Sequence, residues 1–277
     1  METRELSSLI DLKSCEHIQR EVWGFGELEV VPVSQLKASL HAGGVVLGAF
    51  GNGEMIGFAY GFPALKGGSG ASGPGLHSHM AAVLPTYQGR GVGRALKWAQ
   101  RDWCLGQGIG WITWTFDPLR AGNARFNLEY LGVVCDHYLE NLYGELTGPL
   151  NRGLASDRLI AFWELTSPRV RELLAGRSTP PRDLSALPRA LRTSTSGAPL
   201  LHPGHHSGDH YPSDEFLVAV PPDLDRLLKR DPDLAAAWQG QVRRVLMSSF
   251  ACGFRAERFV EGSYLLVRSS ADRGDRI

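Results

Sequence analysis

The chain has 277 residues, 43% hydrophobic and 21% charged, enough apolar material for a packed core and long for one ordinary domain. Lysine plus arginine and aspartate plus glutamate each number 29, so the net charge is zero and nothing on the scale of the whole chain favours nucleic acid or an anionic membrane. Cys15, Cys104, Cys135 and Cys252 lie far apart with no Cys-x-x-Cys pair, which reads as incidental thiols in a reducing cytoplasm and not as a zinc or disulfide framework. The N-terminus lacks a basic flank followed by an apolar run, and no apolar stretch approaches the ~20 residues of a membrane span. A cytoplasmic location is the expectation.

In chain order, a strand near Glu2–Leu9 precedes an amphipathic helix over Asp11–Trp23, with Leu12, Cys15, Ile18 and Val22 at helical spacing. A second short helix covers Val33–Ala42. Strands Val45–Phe50 and Met55–Phe62 flank Gly51-Asn52-Gly53, a hairpin signal because both turn residues must accept positive φ. After a Gly/Ser loop over Lys66–Gly75, Leu76–Leu84 reads as a strand, Gly91–Gln107 as a helix and Trp111–Phe116 as a strand. A helix over Ala121–Leu131 ends at Gly132, a suitable C-cap. Val133–Tyr143 and Arg158–Leu165 read as further strands. Arg169–Ala175 extends as a helix, and Arg177–Ser213, rich in proline, serine, glycine and histidine, reads as irregular. Order returns in strand Phe216–Val220, helices Asp223–Leu228 and Leu234–Phe250, and a last strand near Arg258–Val267. The tail echoes the first half too loosely to be a repeat.

The most informative stretch is Val83-Leu84-Pro85-Thr86-Tyr87-Gln88-Gly89-Arg90-Gly91-Val92-Gly93-Arg94. A strand stops at proline, and a glycine-rich turn opens into a helix. Successive amides from Gly89 to Arg94 then face one concavity at the positive end of that helix, which suits a diphosphate. A dinucleotide fingerprint needs glycine or alanine where Leu96 stands, and a Walker A loop needs Gly-Lys-Ser/Thr. A bare turn without a ligand is the plain alternative. Against it stand the proline stop, Gln88, the spacing, and the basic residues Arg90, Arg94 and Lys97 occurring together.

Gln88-Gly89-Arg90-Gly91-Val92-Gly93 resembles the Gln/Arg-x-x-Gly-x-Gly/Ala motif of the GNAT acetyltransferase superfamily, and the order of elements is similar over residues 1–165. Ser78-His79-Met80, Trp114-Thr115-Phe116-Asp117-Pro118-Leu119, Asn123-Ala124-Arg125-Phe126-Asn127 and Ser156-Asp157-Arg158-Leu159 resemble, more narrowly, a bacterial branch of predicted acyltransferases. The segment around Pro221-Pro222-Asp223 and Trp238 resembles that branch too.

The resemblance implies an α/β fold, a GNAT-like mixed and mostly antiparallel sheet flanked by helices, with a smaller α+β C-terminal extension. Expected boundaries are 1–166 for the acyltransferase domain, 167–213 for a linker and 214–277 for the extension, packed on the main domain or on a partner subunit as in a homodimer. The co-substrate implied is acetyl-CoA or another acyl-CoA, held by Ala82, Val83, Gln88, Gly89, Arg90, Gly91, Val92, Gly93, Arg94 and Asn123. An amide near Ala82 or Val83 would polarise the thioester carbonyl. The amine of a small molecule, an amino acid among the options, would attack directly and take an acetyl or succinyl group.

His79 is the first candidate base, four residues before Val83 and on its face by period-two alternation; His77 is its alternate, and a satisfied core histidine is the plain reading of either. The family's usual tyrosine position, four before the helix-ending glycine, is Leu128, so Tyr130 is the shifted candidate acid or cofactor contact, with Tyr138, Tyr143 or no dedicated acid as alternatives, and Asn123 is shifted by two likewise. Arg152 and Arg158 are candidates for a clamp on a substrate carboxylate, with local pairing of Asp157 and Arg158 as the alternative. Trp114 is a candidate wall of the acyl pocket. No metal site is expected; His202, His205, His206 and His210 sit in a segment without a scaffold. Two further readings remain at this level: a coenzyme A-binding sensor or subunit without chemistry, and a protein N-acetyltransferase.

Overall fold

The computed structural model describes residues 1–65, 71–144, 153–177, 183–202 and 213–269. They form two compact units divided after Trp114. The first holds Met1–Trp114 with Glu164–Thr166, and the second holds the described residues of Thr115–Leu146, Asn151–Trp163 and Ser167–Ile277. No helix among the described residues is long and apolar enough to cross a membrane.

The first unit runs β1 (Glu2–Glu5), α1 (Leu9–Trp23), α2 (Val33–His41), β2 (Val45–Gly51), β3 (Glu54–Ala64), β4 (Gly75–Val83), α3 (Val92–Gly106) and β5 (Trp111–Phe116). Its strands lie in that order, antiparallel from β1 to β4 and parallel between β4 and β5. This is the mixed, mostly antiparallel sheet of a GNAT-like α/β fold. Local chemistry sets the elements. Ser8 Oγ accepts the Asp11 amide at 3.1 Å to open α1, and Gly24 closes it at φ 67°. The β2–β3 hairpin turns on Asn52 (φ 52°) and Gly53 (φ 85°), as the Asn-Gly pair requires.

Leu12, Cys15 and Ile18 of α1 and Leu36 of α2 bury their apolar stripe against Val46, Phe58, Tyr60 and Ala82 on one sheet face. An extra residue in β4 turns Leu76 and Ser78 to the opposite face from Ala82, toward α3. The β3–β4 register steps from Tyr60↔Met80 to Gly61↔Ser78, leaving His79 as the extra residue of a β-bulge.

The second unit begins with α4 (Ala121–Arg125), which runs into a π-helical turn over Phe126–Leu131 and stops at Gly132, φ 75°. It continues with β6 (Tyr138–Leu139), β7 (Arg158–Glu164), α5 (Pro168–Leu174), β8 (Arg189–Thr193), β9 (Pro199–Leu201), β10 (Glu215–Ala219), α6 (Leu224–Arg230), α7 (Pro232–Ala251), β11 (Phe254–Val260) and β12 (Ser263–Arg268). A five-stranded sheet has the order β11-β12-β10-β8-β9, with β10 and β8 parallel and the other neighbours antiparallel.

Three expectations change here. The strand expected over Val133–Tyr143 is reduced to bridges at Val134 and Cys135 and to two-residue β6. The single strand Arg258–Val267 is a hairpin that turns on Glu261 (φ 49°) and Gly262 (φ 71°), a turn signal hidden inside a β-branched and aromatic run. The stretch 177–213, expected as irregular, contains β8 and β9, whereas the helix expected over Arg169–Ala175 is present as α5. The weak internal echo has no topological counterpart, since β1 pairs the first strand after its helices whereas β10 pairs the second.

Within this unit the C-terminal strands and α7 bind the residues that follow β5. Cys135 exchanges backbone bonds with Ala256 at 3.0 and 2.7 Å, Tyr264 donates to the Pro118 carbonyl at 2.8 Å, and Arg258 holds Glu129 through Nε and Nη2, both at 2.8 Å. Asp157, whose side chain is fully buried, receives Arg243 Nε at 2.8 Å and Nη2 at 3.0 Å, Tyr138 Oη at 2.5 Å and the Asn141 amide at 3.0 Å. A carboxylate out of water with one partner removed is uncompensated. Arg243→Leu is therefore expected to lower unfolding free energy by about 3–5 kcal/mol, measured by denaturant titration, with Asp157→Asn in the same background recovering part of the loss.

Candidate active site

After β4, a 3₁₀ turn over Pro85–Tyr87 leads to Gly89 and Gly91, at φ 73° and 84°, the left-handed region that suits glycine. Gly91 caps α3 without any side-chain cap. The first helical bond runs from Ala95 N to Gly91 O at 3.0 Å, so the amides of Val92, Gly93 and Arg94 precede the ladder. A β-carbon at Gly89 or Gly91 would meet nothing within 4 Å. The expected cradle is thus an open, glycine-lined helix N-terminus, with Gln88, Arg90 and Arg94 exposed and Val92 buried beneath. Its natural ligand chemistry is anion binding through the backbone.

Gln88 braces the strand end: its Nε2 donates to Val83 O at 3.0 Å. Leu84 N donates to Ile56 O at 2.9 Å on β3. Alternation then aims Ala82 N at β3 and Val83 N away from it, on the side where Gln88 takes the Val83 carbonyl. Of the two amides expected to face a ligand, Val83 has the suitable direction. On this side β4 lacks a sheet neighbour. Its parallel pairing with β5 covers Leu76↔Ile112 and His77↔Thr113, and residues 78–83 have no β5 partner among the described residues.

Lys97 fills the point where the two strands part. Its Nζ donates to Ser78 Oγ and to Gln100 Oε1, both at 2.9 Å, and lies 3.7 Å from the centre of the Trp114 ring. The side chain is buried, and burial pushes its pKa down from 10.5 to about 7. Lys97 is therefore no part of an exposed basic helix start with Arg90 and Arg94. Trp114, expected as an acyl-pocket wall, is 9% exposed and carries this amine on its face.

On the α1–α2 side, His77 and His79 meet Phe62, with ring centres 5.3 and 5.6 Å from it and 6.2 Å from each other. The bulge puts the His79 ring beside Tyr60 and Phe62, whereas Val83 Cγ2 approaches Gly93 of α3; period-two alternation does not carry through the extra residue. Burial, then the neighbouring His79 and Lys97, lowers the His77 pKa to about 4. Desolvation by the surrounding rings lowers His79 as well, although its outer edge is exposed.

In the second unit Asn123 is exposed on α4 and Tyr130 is 42% exposed on the π-helical turn, while Leu128 is fully buried. The Gly132 and Val133 amides both reach back to Asn127 O, so counting faces at 3.6 residues fails across this turn. Carbonyls that an α-helix would pair are met from outside, Leu128 O by Arg169 Nη2 at 2.5 Å and Leu131 O by Trp163 Nε1 at 2.7 Å. Arg158 donates to the Asp157 carbonyl at 2.8 Å and lies 5.4 Å over Tyr143; the cation on the Asp157 side chain is Arg243. Arg152, His205, His206 and His210 lie outside the described residues. Among the described residues no group of three His, Cys, Asp or Glu is placed to hold a metal ion.

The model of the GNAT acetyltransferase family matches residues 9–132. That segment of the chain is therefore similar to the GNAT acetyltransferase family. Solved structures similar to it include the ribosomal-protein-S18-alanine N-acetyltransferase of Escherichia coli, 19% identical over 60% of this chain and 94% of that one, with a TM-score of 0.48. A GNAT family acetyltransferase from Elizabethkingia anophelis with acetyl-CoA bound is 16% identical over 59% and 97%, TM-score 0.43. The YncA protein of Salmonella typhimurium, solved with acetyl-CoA, is 17% identical over 66% and 98%, TM-score 0.46. No curated protein matches the chain.

The buried lysine of α3 escapes sequence reasoning because a lysine on an amphipathic helix reads as solvated. The signal lay in its spacing: Lys97 stands three and seven residues before Gln100 and Cys104, on the buried stripe. Its titration is testable. With a folded pKa near 7 and an unfolded value near 10.5, the unfolded chain binds the extra proton between those limits. Wild-type stability should therefore gain from this group as pH rises from 7 to 10.5. Lys97→Met should lack that gain, so the difference in unfolding free energy between the two proteins should drift steadily over that window and stay flat below pH 7.

Proposed function

We propose that this protein is an acyl-coenzyme A-dependent N-acyltransferase whose acceptor is the amine of a small molecule. The observation that carries the reading is the open, uncapped start of α3 directly after a strand that has lost its neighbour. A diphosphate suits the amides of Gly89–Arg94, and an extended pantetheine arm suits the unpaired edge of β4. Acyl-coenzyme A presents both parts in that order.

In this reading Gln88 fixes the Val83 carbonyl, and the Val83 N–H, on the same side, is the donor for charge that develops on the thioester oxygen. The amine forms its C–N bond at the carbonyl carbon as the C–S bond breaks and the thiolate leaves. One proton must come off the amine. His79, kept neutral at cytoplasmic pH by its lowered pKa, is the acceptor we assign, and the departing thiolate takes its proton from solvent. His77, with a pKa near 4 and its Nδ1 3.3 Å from Thr113 Oγ1, is a neutral wall.

Release of thiol from acetyl- and succinyl-coenzyme A, measured against a panel of amino acids and polyamines, tests the reaction class. Binding without turnover on any amine would replace the enzyme by a sensor. Gly91→Glu puts a carboxylate and a β-carbon where φ is 84°, and calorimetry should find coenzyme A binding abolished; retained affinity would displace the cradle. A base with a lowered pKa loses its proton early, so kcat/KM should rise with pH along a limb centred below the ordinary histidine value of 6.5. His79→Gln should flatten that limb and reduce kcat by about 100-fold.

A further inference from the structure

We propose that Lys97 is a positioning residue that sets the gap between β4 and β5 through which the acyl-bearing arm enters, a role that rests on the acyl-coenzyme A reading above. The parallel pairing ends at His77↔Thr113. Ser78 is the next residue of β4 and Trp114 the next of β5. The Lys97 side chain touches both, bonding Ser78 Oγ at 2.9 Å and covering the Trp114 ring at 3.7 Å. It is a spacer with one end on each strand, placed at the apex of their divergence.

Its material is informative. An apolar side chain would fill the same volume and let the strands choose their spacing by packing alone. A bonded amine fixes one end at a defined distance, because a hydrogen bond weakens steeply as it stretches. Gln100 Oε1, at 2.9 Å, holds the amine from its own helix. The helix is also the one that opens at the cradle. Lys97 lies five residues after Val92, about 7.5 Å along the axis at 1.5 Å per residue. One rigid element therefore sets both the diphosphate position and the opening for the arm, and fixes their separation.

The test separates the two ends of the ligand. Coenzyme A carries diphosphate and arm; ADP carries a diphosphate without the arm. Calorimetric titration of both should show Lys97→Ala weakening coenzyme A by about tenfold or more while ADP changes by less than about twofold. Lys97→Met, which fills the volume of the spacer but lacks its bond to Ser78, should stay at least about threefold weaker than wild type for coenzyme A, with ADP again little changed. Equal losses for ADP and coenzyme A would overturn the proposal, since that is damage to the helix; so would an unchanged affinity for coenzyme A in the alanine variant, or a methionine variant that binds coenzyme A within about threefold of wild type. If Lys97→Ala does not fold, Ser78→Ala, which removes only the β4 end of the bridge, should show the same split between the two ligands. A wild-type protein that binds neither ligand would overturn the acyl-coenzyme A reading instead.

Discussion

A strand that leaves its parallel neighbour after two residue pairs creates a problem that the rest of the first unit answers. Backbone donors and acceptors along the free edge cannot be buried dry, and a sheet with such an edge tends to recruit another strand. β4 meets this in stages. β3 satisfies one side, Gln88 takes the Val83 carbonyl on the other, and the bulge at His79 bends the strand. What remains is an edge that asks for a partner that is not a strand. The same opening that would be a liability in a structural sheet becomes a place for an extended ligand.

The cradle, the β2–β3 hairpin, α1 and β5 were legible because their causes are local. Positive φ at Asn52, Gly53, Gly89 and Gly91 follows from residue type, and the stripe of Leu12, Cys15 and Ile18 declares its face by spacing alone. The misread features have non-local causes. His79 departs from alternation because β3 runs one residue short of β4. The widened turn at 126–131 exists because Arg169 and Trp163, distant in sequence, satisfy its carbonyls. Lys97 is buried because Ser78 and Trp114 receive it. Period and propensity describe what a segment does in isolation, and these three positions are decided by partners.

The ion pairs of the second unit share a logic. Glu129 is taken by Arg258 and by the Phe259 amide at 2.9 Å, and Arg243 takes Asp157. Buried pairs of this kind add little stability beyond what apolar packing would give, and are costly when half formed. Their effect is to make the extension's register specific, since a slipped β11 would part Glu129 from Arg258 and from the Phe259 amide. The extension is thereby joined to the π-helical turn at a defined place.

Glu129 and Arg258 are 129 residues apart, and that separation has a consequence for how the protein is made. A ribosome adding roughly 10 residues per second needs on the order of ten seconds to travel that distance. During that interval the first 114 residues have all the strands of their own unit, whereas the residues after β5 still lack the hairpin that receives Glu129 and Cys135. Newly synthesised chains therefore pass through a period in which one half can be native and the other cannot. Until β11 is made, the Cys135 backbone lacks the Ala256 partner with which it exchanges both its bonds.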